Sequence, residues 1–301
     1  MSIKTTKSRK IFVGCNYFFL TLLALLCIFP FIHLLALSFS SDEFTSAGLV
    51  SLWPKGFTID AYSILISKPE FFRSFGISVL RTIVGTLFGL IIIILTAYPL
   101  SKSNKVLRGR TAIVWVFAFT MFFGGGLAAQ YVLYQSLGLI DNFLVFILPG
   151  ACDVWFVLML MNFFRGIPKE IEEAAILDGC NQFQILFRIF VPISLPSIVT
   201  IILFTATGHW NSWFDGVLFM NDPSQYPLQS YLYVMLESSD PAKLAGQSGT
   251  LTPEQIEALK NIGGKNIQAA QIFLGMLPIT LVYPFVQRFF IKGITIGSVK
   301  G

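Results

Sequence analysis

Charge is scarce in this chain of 301 residues, where Asp, Glu, Lys and Arg make up 12%. Histidine is scarcer still, with His33 and His209 alone, and no Ser/His/Asp or metal-spaced constellation accompanies them. The four cysteines (Cys15, Cys27, Cys152, Cys180) lie in or beside apolar stretches, without the paired spacing of a zinc site or a secreted disulfide framework, and read as inert packing residues. No Gly-x-x-x-x-Gly-Lys-Ser/Thr phosphate loop is present, so the chain is not expected to bind ATP itself. The net charge of +5 comes without a basic face interleaved with polar residues, which argues against nucleic acid. What remains is apolar: 54% hydrophobic residues, 31 Phe and a mean hydropathy of +0.72, the composition of a membrane protein.

Six stretches are expected to cross the bilayer, at about 11–39, 77–100, 112–134, 143–164, 193–214 and 267–291. The first follows Lys4, Lys7, Arg9 and Lys10; it is too long for a signal-peptide core and no small-x-small cleavage site follows it. Residues 40–76 form an extramembrane loop with a short helix near its end. Arg81 sits near the outer end of the second span, where its stem would snorkel to the interface. Gly124, Gly125 and Gly126 within the third span read as a site of close helix packing rather than a hinge. Asp153 in the fourth span is either part of a transport pathway or a hydrated residue near the interface. A second large polar loop, 215–266, carries an acidic helix starting near Thr252-Pro253-Glu254.

Sidedness follows from the positive charges. The N-terminus (residues 1–10), the turn Lys102 to Arg110, the interruption 165–192 and the tail 292–301 with the end of the last span hold fourteen of the twenty-one Lys and Arg. These parts are expected in the cytoplasm, and loops 40–76 and 215–266 outside.

The interruption at 165–192 has a pattern of its own. Pro168 suits a helix's first turn, and Glu170, Glu172 and Glu173 place negative charge where the helix dipole favours it. Gly179 is a stop signal, Asn181 a cap, and a second short helix carries Phe183, Leu186, Phe187 and Phe190 before Pro192 ends it. Its acidity disfavours a place against the anionic cytoplasmic leaflet, which leaves docking on another protein as the better reading.

Glu173-Ala174-Ala175, three residues, Gly179, nine residues, then Ile189-x-Val191-Pro192 resembles the EAA loop of binding-protein-dependent ABC importer permeases, with Val191 in place of the usual Leu. The stretches Ser136 to Asn142, His209 to Asp215 and Tyr283 to Gly301 are similar to the carbohydrate, maltose-type class, in a branch associated with oligosaccharide uptake. The resemblance implies an all-α integral membrane protein of six transmembrane helices with the type I ABC importer permease fold. It implies a multi-pass subunit of the bacterial cell membrane that catalyses no reaction. Expected partners are a second homologous permease, two ATPase subunits carrying ATP and Mg, an extracellular solute-binding protein, the sugar and the lipid bilayer. In that family the EAA segment couples to the ATPase, a role that would fall here on Glu172, Glu173, Ala174, Ala175, Asp178 and Gly179. For the sugar path, Trp210, Asn211, Trp213 and Asp215 combine faces that stack on sugar rings with groups that pair with hydroxyls. Two alternatives stay open: a permease for a non-sugar solute, and a membrane enzyme using His209 with Asp215, or Asp153.

Overall fold

The computed structural model describes residues 7–238 and 264–297, as backbone alone at 238, 283 and 285–297. Lys4, the helix expected near Thr252, and residues 298–301 lie outside the described residues. Among those residues all regular structure is helical, apart from one isolated backbone pairing of Ser40 with Phe57. They form two compact units, one from the chain up to Pro69 with Val234–Leu277, the other from Glu70–Tyr233 with the segment from Pro278 onward.

In the first unit, α1 (Lys7–Ser38) is an apolar rod whose buried residues are Ala36 and Ser38. Short helices α2 (Asp42–Ser46) and α3 (Asp60–Ile66) follow. The core packs Ala61 and Leu65 of α3 against Ile267 and Ala270 of α14 (Lys265–Gly297). Ser38 Oγ and the Tyr62 hydroxyl, 2.8 Å apart, tie α1 to α3.

The second unit begins with α4, which runs without interruption over Pro69–Ser101 and so starts before the expected Ile77. Pro69 and Glu70 explain the early start: proline is preorganised for a first turn and the carboxylate meets the helix dipole. The third expected span is two helices, α5 (Arg110–Phe122) and α6 (Gly126–Ser136), bent by 112°. A Cβ at Gly124 or Gly126 would meet nothing within 4 Å, and one at Gly125 only the Ala129 side chain of the adjoining helix, so the run serves the turn, where Gly126 has φ +76, rather than packing against another described helix. The fourth stretch is likewise not one helix. A 3₁₀ turn (Phe143–Phe146) is followed by Pro149 and Gly150, which break it, and α7 covers only Val154–Arg165.

Beyond α7 come α8 (Lys169–Leu177), α9 (Gln182–Ile185), a π-helical turn (Leu186–Phe190) and α10 (Val191–Ile193). The expected stop at Pro192 is therefore passed. The chain bends by 82° at Ser194, between Pro192 and Pro196, and α11 (Leu195–Asn211) departs from there. Helix α12 (Phe214–Phe219) and the first turns of α13 (Leu228–Ser238) complete the unit. One core joins α4 (Ile93, Ala97, Tyr98), α7 (Val157, Leu160, Phe164), the π turn (Phe190) and α11 (Ile198, Ile201). A second joins Leu139, Val145 and Phe146 to Phe219 and Met220. It is closed by Asp141, whose carboxylate accepts both the backbone and the side-chain N–H of Asn221 and is thereby held below the usual carboxylate range.

Helices α1 and α4 are each long and apolar enough to cross a membrane, and the bent pairs α5–α6 and α9/α10–α11 add two more crossings if each pair is one span.

Candidate functional site

The acidic helix α8 is framed by local sequence signals. Pro168 occupies its N-cap, one position before the expected first turn, and Glu170 and Glu172 lie in the first turn. At the other end the Gly179 N–H donates to the Ile176 carbonyl and the Cys180 N–H to the Ala175 carbonyl, both at 3.0 Å. This paired pattern closes the helix and requires the left-handed φ of +81 found at Gly179. An added Cβ meets nothing within 4 Å there, so the cost of a side chain is conformational. Gly179→Ala is accordingly expected to destabilise the protein by about 1–2 kcal/mol, read from its thermal unfolding midpoint; an unchanged midpoint would refute that role. Asn181 then caps α9 reciprocally with Gln184: each side-chain oxygen accepts the other residue's backbone N–H at 2.9 Å.

The six residues expected to couple do not share one face. Ala175 is buried in the core, and Glu172 turns inward to accept a hydrogen bond from Lys102 Nζ at 2.6 Å. The Lys102 ammonium also lies 4.0 Å from the Tyr98 ring centre and 4.4 Å from that of Phe190. Burial pushes its pKa down, and the bond to Glu172 only partly offsets that. The Tyr98 hydroxyl donates to Gln182 Oε1 at 2.8 Å. Glu172 therefore fastens α8 to the end of α4. Lys102→Met, which leaves that carboxylate without its cation, is expected to cost about 1–3 kcal/mol by thermal unfolding, more than a surface substitution. Glu173, Ala174, Asp178 and Gly179 remain exposed together with Ile176 and with Leu177, which is 88% exposed.

Arg81 does not snorkel. It is 2% exposed, and its guanidinium forms a two-pronged ion pair with Asp215. The same group donates to the Ser212 carbonyl at 3.2 Å and stands 4.7 Å over the Phe146 ring. Asp215 Oδ1 also accepts from Ser212 Oγ and from the Gly216 N–H, each at 2.9 Å. Pairing answers the cost of an ionised side chain within an apolar span. His209 lies against Gly85, where a Cβ would come within 2.5 Å of its Nε2.

These groups border a cavity of ≈ 300 Å³ whose walls include Arg81, Asp153, Thr205, His209 and Asp215. Asp153 is exposed and caps α7, its Oδ1 accepting from the N–H groups of Trp155 and Phe156. Of the four residues expected along the sugar path, Asp215 alone lines this cavity. Trp210 is 5% exposed and packs edge-on against Phe75, Trp213 stacks on Tyr233 at 4.0 Å, and Asn211 is exposed. From sequence alone Arg81 is placed at the interface rather than in this site, and Thr205 is passed over. An arginine in one apolar run with an aspartate at the end of another is the signal that points to the ion pair.

No family model matches the chain. Two relatives from Bacillus subtilis (strain 168) span it almost completely. Protein LplC is 37% identical, with 100% of this chain and 98% of the relative covered. The polygalacturonan/rhamnogalacturonan transport system permease protein YtcP is 38% identical, with 97% and 99% covered. Among solved structures, a chain of a bacterial ABC transporter involved in the import of the acidic polysaccharide alginate superposes with a TM-score of 0.82 at 29% identity. The match covers 96% of this chain and 100% of that one.

Proposed function

This chain belongs to the ABC transporter permeases that serve oligosaccharide import, and we propose that it forms one half of a heterodimeric channel with a second, homologous permease. On this reading the six apolar stretches cross the bacterial cell membrane with both termini in the cytoplasm. Two ATPase subunits bind ATP and Mg on the cytoplasmic side, and an extracellular solute-binding protein delivers the cargo. The cargo is a fragment of a uronate-containing polysaccharide. The named substrates of YtcP and of the alginate importer support that class.

The observation that carries the coupling assignment is the outward face of α8. Glu173, Ala174, Leu177 and Asp178 are exposed at the end of a helix held rigidly by the Gly179 closure, the Asn181 cap and the Glu172–Lys102 bond. A small, stiff, acidic helix with exposed apolar residues is suited to a groove on a partner. The docking surface is then Glu173, Ala174 and Ile176 to Gly179, while Glu172 and Ala175 fasten it from behind. Reconstitution of the complex with its binding protein tests the whole reading. Galacturonan or rhamnogalacturonan fragments are expected to stimulate ATP hydrolysis, and a rate indifferent to every such sugar would count against it.

A further inference from the structure

Three features of the ≈ 300 Å³ cavity point to a ligand. Its size lies at the small end for ligand sites, fitting a single sugar ring rather than a chain of them. Aromatic side chains wall it, among them Phe156 and Phe204, stacked on each other at 6.3 Å. Two buried polar atoms on its lining residues, Arg81 Nε and Thr205 Oγ1, have no hydrogen-bond partner. Arg81 is 2% exposed, so its unpaired N–H is a donor withheld from solvent and in want of an acceptor.

We infer that this cavity is a binding site for one sugar ring of the cargo, gripped through its hydroxyls. The inference rests on the importer reading above and assigns this permease a direct part in handling the substrate. Thr205 Oγ1 and Arg81 Nε supply donors. Asp153 supplies an acceptor, because the N-cap bonds engage its Oδ1 and not its Oδ2. Asp215 is a positioning residue: its Oδ1 already takes Arg81, Ser212 and Gly216, and its Oδ2 takes Arg81. Because the Arg81 guanidinium is already paired with Asp215, the site suits hydroxyls better than a uronate carboxylate.

Gly208 lines the cavity, and a Cβ built on it meets nothing within 4 Å, so a side chain placed there enters open space. The test measures ATP-driven uptake of radiolabelled galacturonan and rhamnogalacturonan fragments into vesicles holding the complete complex. Gly208→Leu and Thr205→Val are compared with the parent at equal recovery of assembled complex. Gly208→Leu is expected to reduce uptake at least about tenfold by filling the site. Thr205→Val, of nearly the same shape, is expected to raise the half-saturating sugar concentration about fivefold, the loss of one hydrogen bond. A parent that transports while both variants match it overturns the cavity assignment alone, the outcome for a space occupied only by water. A parent that moves none of these sugars under ATP overturns the importer reading and this inference with it.

Discussion

Asp215→Ala is expected to destabilise the folded permease by roughly 3–5 kcal/mol. The aspartate itself is not the source of that cost. Removing it strands the Arg81 guanidinium, which is 2% exposed and retains only the Ser212 carbonyl and the Phe146 ring as neighbours of the right polarity. Ser212 Oγ and the Gly216 N–H lose their acceptor at the same time. The loss is measured as a fall in thermal unfolding midpoint of the purified protein in detergent. The companion result is equally specific: Arg81→Met combined with Asp215→Leu is expected to recover most of the stability, because an apolar pair of similar volume carries no desolvation cost. If the double variant is as unstable as Asp215→Ala, the pair is not what holds α4 to the start of α12.

Glu173→Lys is expected to act in the opposite manner, with stability within about 0.5 kcal/mol of the parent and transport reduced at least about tenfold. Glu173 is exposed, and the inward contacts of its helix belong to Glu172 and Ala175, so no folded-state interaction is forfeited. If α8 docks as proposed, reversing this charge places like charges together across the interface, and that penalty falls on docking. Unfolding of the purified subunit, retention of the ATPase on the immobilised permease and sugar uptake separate the possibilities. Normal retention with normal uptake would show that α8 does not contact the motor through Glu173.

How much of this was legible beforehand depends on how local the cause was. The ends of α8 and the start of α9 were, since Gly179 and Asn181 act on backbone groups within five residues of themselves. Glu172 was grouped with Glu173 because adjacent letters do not disclose which one faces inward; Lys102, seventy residues away, decides it. The same distance effect hid the pairing of Arg81 with Asp215 across 134 residues. For the stretch 143–164, hydropathy registers only that residues are apolar. It does not register that Pro149, Gly150 and the Asp153 cap divide them into a turn and a short helix. Trp210 and Trp213 looked like a cluster in one dimension. Trp210 closes α11 and Trp213 follows the helix end, so their rings leave toward Phe75 and Tyr233 respectively.

The 82° bend at Ser194 gives the unit the geometry of a bell crank. Because the two arms stand nearly at right angles, a displacement of α9 and α10 along their own axis has almost no component along α11. A pull on the short arm cannot slide the long helix along its own axis as a piston. It swings the foot of α11 sideways. With the foot of α11 packed against α4 and α7 through Ile198 and Ile201, that sideways swing carries its neighbours with it.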